Sequence, residues 1–172
     1  PKDSPKIEFL TDEEVQKLWE TDIKNAEIKK AFLFSVETGL RLSDIELLKW
    51  EDIRYNGEYR QVAVNQKKTK ELIYVPLNST AESILNDKVR LSDTVFDLGG
   101  RSTIRYWLPK WAEAAEIGKH LHFHMARHTF ATSLLQKGVK IMEVSKLMGH
   151  SSFSSTEKYL HVLDQDLKAA VD

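Results

Sequence analysis

Apolar positions along the chain fall into two periods, and the switch between them organises it. From Lys24 to Thr38, Ala26, Ile28, Ala31, Phe32, Leu33, Phe34 and Val36 make a largely buried helix, and Gly39 suits its left-handed C-terminal cap. Residues 52–76 change to a strand period. There Val62 and Val64 alternate with polar neighbours, LIYVPL is rich in β-formers, and Asn56-Gly57 signals a hairpin. This segment predicts a three-stranded antiparallel sheet. Helical spacing then returns. Ser102 is placed to cap a helix through about Glu116 that Pro109 should kink. Residues 124–136 and VKIMEVSKLM predict two more helices, set apart by Gly138 and Gly149, and SSTEKYLHVL opens the last. Four helix starts carry capping-box pairs: Thr11 with Glu14, Ser43 with Glu46, Ser79 with Glu82, and Ser154 with Glu157. The fold class that follows is mainly α (α+β), a helical domain with one small antiparallel sheet.

Composition narrows the function without choosing it. At 172 residues the chain suits one domain over 1–172, which buries roughly 70% of the surface exposed when unfolded. No repeat, low-complexity tract or interdomain linker interrupts it. The absence of cysteine excludes disulfides and thiolate metal sites. No apolar run approaches the roughly 20 residues of a membrane span, and PKDSPKIEF lacks the apolar segment of a signal peptide. A cytoplasmic protein with no membrane partner is expected. Net charge is −1, yet the basic residues cluster. Arg54, Arg60, Lys67, Lys68 and Lys70 face only Glu58 within residues 54–70, and Arg101, Arg105, Lys110, Lys119 and Arg127 dominate residues 101–127. Such clusters are candidate faces for a polyanion.

The stretch HFHMARHTFATSLLQKGV, residues 122–139, adds chemistry to this charge. Phe130, Leu134 and Leu135 mark a buried stripe, whereas His124, Arg127 and His128 stand three and four residues apart on one side of the helix. His124 and His128 have the i, i+4 spacing of zinc ligands, but a metallohydrolase helix needs glutamate directly after the first histidine and Met125 stands there.

In chain order the polar groups of interest are Arg41 in TGLRLSDIELL, Lys68 in KKTKELIYVPL, His124 and Arg127 in HMARHTFAT, His150 in LMGHSS and Tyr159 in STEKYL. In this order the sequence resembles the catalytic domain of the tyrosine recombinases, the phage integrase family, from about Thr11 to Leu163. The resemblance rests on an arginine after a T-G-L cap and a hairpin lysine eight residues before the proline of V-P-L. It rests equally on H-x-x-R-H-T-F-A-T and on G-H followed nine residues later by tyrosine. It implies that Arg41, Lys68, His124, Arg127, His150 and Tyr159 are catalytic.

The residue types suit that chemistry. A tyrosine oxygen holds a phosphoryl group as a covalent ester, so Tyr159 is the candidate nucleophile. Arg41 and Arg127 are suited to grip the nonbridging oxygens, and Lys68 to protonate the departing deoxyribose oxygen. His124 is placed to accept or orient the tyrosine proton, and His150 to donate to a nonbridging oxygen. His128, His120, His122 and His161 are expected to be structural. Lys67, Lys70, Arg101, Arg105 and Lys119 are candidate DNA contacts.

The resemblance further implies no cofactor: the bond energy is kept in the phosphotyrosine without ATP, and the arginines replace a metal ion. Its implied partners are a double-stranded DNA attachment site and, in the full-length protein, other subunits of a tetramer joined through residues 164–172. An N-terminal DNA-binding domain found in full-length relatives has no counterpart here, so a catalytic fragment is expected. The rival expectation is a recombinase-like module that holds DNA without cutting it.

Overall fold

The structure, a computed structural model, describes residues 7–66, 69–150 and 152–172. Helices α1 (Asp12–Glu20), α2 (Ala26–Thr38) and α3 (Leu42–Leu47) lead through a 3-10 turn at Trp50–Asp52 into β1 (Ile53–Tyr55), β2 (Arg60–Asn65) and β3 (Leu72–Pro76). Six helices follow: α4 (Ser79–Asn86), α5 (Arg101–Ala114), α6 (Phe123–Gln136), α7 (Ile141–Leu147), α8 (Ser154–Glu157) and α9 (Leu160–Val171). The sheet is antiparallel in the order β1-β2-β3, with Val62 opposite both Ile53 and Val75. Both predictions, the mainly helical class and the three-stranded sheet, match this architecture.

Helix starts are less faithful to the sequence patterns. Thr11 and Glu14 form the full reciprocal box. At the other three, a residue outside the expected pair holds the N-cap. Arg41 precedes α3, with Asp44 accepting from its backbone N–H; Asn78 caps α4 through Ala81; and Phe153 begins α8 with no side-chain cap. Asn78 wins because its short amide reaches the Ala81 N–H at 2.8 Å. Helix α5 likewise has Gly100, not Ser102, at its N-cap, and runs through Pro109. The expected last helix is two, α8 and α9, with Tyr159 at the joint between them.

Helix α2 packs along α6, and one glycine makes this contact possible. Gly39 ends α2 at φ 69°, and a Cβ built there would lie 2.4 Å from Cδ1 of Phe130. The residue is needed both for the left-handed turn and for the approach of α6. Gly39→Ala is expected to cost about 2 kcal/mol or more in urea denaturation, since backbone strain and overpacking add. Trimming the opposing ring with Phe130→Leu should return only the steric share.

Two apolar clusters result. The larger gathers the buried faces of α2, α4, α5 and the sheet around Phe32, Phe34 and Trp111. The smaller comprises Phe130, Ala131, Leu135, Val144, Met148 and Tyr159. A candidate nucleophile thus sits within a core. No helix among the described residues is long and apolar enough to cross a membrane.

Candidate active site

The turn at Gly39 delivers Arg41 to the start of α3, opposite the first turns of α6. Between these elements lies a cavity of about 340 Å³ whose polar lining is Arg41, Ser43, Arg101, His122, His124 and Arg127. Three of the predicted catalytic residues share it. Arg101, proposed as a DNA contact, also lines it while pairing with Glu46 at 2.9 and 3.1 Å. His122, expected to be structural, faces the same space.

Arg127 is 3% exposed and fixed at two points. Nη1 donates to the Gly39 carbonyl at 2.6 Å, and Nη2 to the Met148 carbonyl at 2.7 Å. These bonds tie α6 to the cap of α2 and to the corner after α7, and use two of the five guanidinium N–H donors. Burial, and then the neighbouring Arg41 charge, lower its pKa to about 10. It stays cationic at neutral pH.

His150 follows directly on that corner, its Nδ1 lying 2.6 Å from Oγ1 of the buried Thr156. Gly149, at φ 60°, has no room for a side chain because a Cβ would lie 2.2 Å from Nε2 of Gln66. That amide is itself buried and donates to the Met148 carbonyl at 3.3 Å, so the end of β2 is seated on the same carbonyl that holds Arg127. Gln66 is a site residue the sequence does not reveal: a polar residue at a hairpin turn carries no signal of burial. Lys67 and Lys68, two of the sequence-derived candidates, lie outside the described residues. Lys70 is exposed and left-handed at φ 55°.

Tyr159 is 1% exposed, whereas Tyr55, Tyr59, Tyr74 and Tyr106 are each at least 41% exposed. Its hydroxyl lies 2.6 Å from Nδ1 of His128. Burial raises the phenol pKa to about 12 against the opposing pull of Arg127. Burial also lowers His128 to about 3, helped by His124, Lys158, His122 and Arg127. With both groups uncharged, a phenol O–H donating to Nδ1 satisfies both atoms with one proton and assigns the ring proton to Nε2. His128, expected to be structural, makes its buttressing contact with the candidate nucleophile itself. His124 stacks edge-on against it, ring centroids 4.4 Å apart.

Among the proposed DNA contacts, Arg105 is exposed. Lys119 donates to the Phe9 carbonyl and to Glu14, both at 2.8 Å. It fastens the start of α1 to the loop before α6.

Burial, and then the charges of Lys158, Arg127, His122 and Arg41, lower His124 to about 4; burial followed by Arg127, Arg41 and Lys158 does the same to His150. Folded, these two and His128 hold fewer protons than unfolded histidine near pKa 6.5. Their contribution to stability is complete above that value and is lost as pH falls through it toward the folded values. Urea midpoints are therefore expected to drop between about pH 7 and about pH 5, before most carboxylates protonate. A flat profile would show these rings to be freely protonated in the folded chain. No group of three or more His, Asp or Glu among the described residues is arranged to hold a metal ion.

The sequence profile of the phage integrase family matches residues 8–166. A tyrosine recombinase of Pseudothermotoga lettingae is 35% identical across 98% of this chain and 63% of its own length. Tyrosine recombinase XerC of Oceanobacillus iheyensis is 35% identical across 99% of this chain and 62% of its own. The chain thus spans about three fifths of the curated relatives it matches. Among solved structures, XerA recombinase superposes with a TM-score of 0.78 at 22% identity, covering 97% of this chain and 66% of that one. The catalytic domain of bacteriophage HP1 integrase gives 0.72 at 24% identity, covering 96% and 94%.

Proposed function

The chain belongs to the phage integrase family, and on that premise we propose that it is the catalytic domain of a site-specific DNA recombinase that works through a phosphotyrosine on Tyr159. The observation that carries this reading is the cationic crowding beside one buried tyrosine. Arg41, Arg127 and Lys158 all bear on His124 and His150, and Arg127 in turn acts on Tyr159. Like charges held together cost energy unless an anion joins them, and a phosphodiester is such an anion. The XerH site-specific recombinase, which shares this fold, was crystallised bound to its difH substrate.

In cleavage the Tyr159 oxygen forms a bond to phosphorus as the bond from phosphorus to the 5′ oxygen breaks, and the phenol proton passes to His124. Arg41 and Arg127 take up charge on the nonbridging oxygens, with His150 as a further donor. Lys68 gives its proton to the departing oxygen. Attack by a second 5′ hydroxyl reverses these steps and joins the new strand, with neither ATP nor a metal ion. Full-length subunits assemble as a tetramer through residues 164–172, where Leu167 and Val171 are 65% and 88% exposed.

The test is denaturing electrophoresis after incubation with a pool of nicked duplexes of randomised sequence. A covalent protein–DNA band supports the reading, and its absence with intact DNA binding favours a module that holds DNA without cutting it. The assignment of Lys68 has its own check. Replacing the 5′ bridging oxygen by sulfur gives a leaving group that needs no proton, so Lys68→Ala is expected to recover cleavage on that substrate. Recovery by Lys67→Ala or Lys70→Ala instead would move the general acid to that residue.

A further inference from the structure

We infer that His128 is a positioning residue that keeps the Tyr159 hydroxyl withdrawn from the phosphate cavity in the DNA-free chain. The inference rests on the reading of Tyr159 as nucleophile and adds how its attack is held back. A nucleophilic oxygen has to come within about 3–3.5 Å of its target atom. At 1% exposure Tyr159 offers no such approach, and it is not among the residues that line the cavity of Arg41 and Arg127.

Two features hold it there. Its ring packs among Phe130, Leu135, Val144 and Met148, and its hydroxyl meets His128 Nδ1 at 2.6 Å. Packing alone would favour an apolar residue at this point; the hydrogen bond is what makes a buried hydroxyl tolerable. His128 is well placed to act as an anchor because α6 fixes it one residue after Arg127, itself bonded to two backbone carbonyls. Tyr159, by contrast, sits at the joint of α8 and α9, where the helical run is broken. Release requires that this joint shift, the ring leave its apolar neighbours and one side-chain bond part, while the end of α6 that carries Arg127 stays in place. The uncharged state of both partners fits the same picture: a protonated phenol is a poor nucleophile.

Nitration by tetranitromethane, mapped by peptide mass spectrometry, reads the contact without DNA. In the parent chain Tyr159 is expected to nitrate far more slowly than the exposed Tyr55. His128→Leu, which keeps bulk but accepts no hydrogen bond, should raise the Tyr159 rate about fivefold to tenfold, the factor for one lost bond between uncharged partners. Tyr55 should not change. His128→Asn restores an acceptor near the position of Nδ1 and should stay close to the parent. On the pool of nicked duplexes, His128→Leu should form adduct faster than the parent in a single turnover.

Equal nitration of Tyr159 in parent and His128→Leu overturns the inference. So does equal acceleration by His128→Leu and His128→Asn, which marks loosened packing. Slower adduct formation by His128→Leu, restored by added imidazole, overturns it too and makes His128 the proton acceptor. If the parent forms no adduct on any duplex, Tyr159 fails as nucleophile, and nitration still decides whether His128 holds it.

Discussion

Tyr159→Phe is expected to reduce covalent adduct to background on every DNA tested while noncovalent binding stays within about twofold of the parent. The substitution removes the atom proposed to bond to phosphorus, and a phenylalanine ring offers no oxygen in its place. Nor is it silent for stability. The hydroxyl is the partner of a buried His128 nitrogen 2.6 Å away, and leaving that nitrogen unpaired costs about 1–3 kcal/mol. A variant still folded but with a lower urea midpoint is therefore the anticipated result. Adduct persisting in Tyr159→Phe, with DNA recovered on Tyr55, Tyr59, Tyr74 or Tyr106, would show the nucleophile to be misassigned. Those four rings are exposed, so the peptide map separates the cases cleanly.

Periodicity revealed the buried α2, the left-handed Gly39 and the antiparallel sheet because each depends on residues close in the chain. Sequence patterns were weaker at helix starts. There Ser79 is the expected cap, but Asn78, one residue earlier, takes the position by accepting from the Ala81 N–H. The six-residue constellation was legible through its order, and Arg41, His124 and Arg127 do line one cavity. What stayed hidden depends on distant contacts. Nothing local distinguishes His128 from other histidines on a helix; only the return of the chain at Tyr159, thirty-one residues later, gives it a partner. Gln66 is similar, since its burial arises from Gly149 pressing against it. Lys119, read from its basic cluster as a candidate DNA contact, also pairs with Glu14, a partner far off in the chain that no local pattern reveals.

Arg127→Lys is expected to lower single-turnover cleavage about 10²–10³-fold, nearly as much as Arg127→Ala, because the guanidinium has two separate tasks. It ties the Gly39 and Met148 carbonyls together at 2.6 and 2.7 Å, and its remaining donors are proposed to take the phosphate. A lysine ammonium carries the same charge on a single nitrogen and cannot span two carbonyls while presenting a flat fork to an anion. The backbone task predicts a stability loss, since a buried carbonyl left without a donor costs about 1–3 kcal/mol. The phosphate task predicts a rate loss that persists when the folded fraction is restored, for example by working at lower temperature. Near-parent cleavage by Arg127→Lys would mean that positive charge alone suffices, and the fork would have no part in the transition state. A rate that recovers fully once the chain is folded would assign Arg127 to the scaffold, leaving Arg41 as the cavity's phosphate-binding arginine.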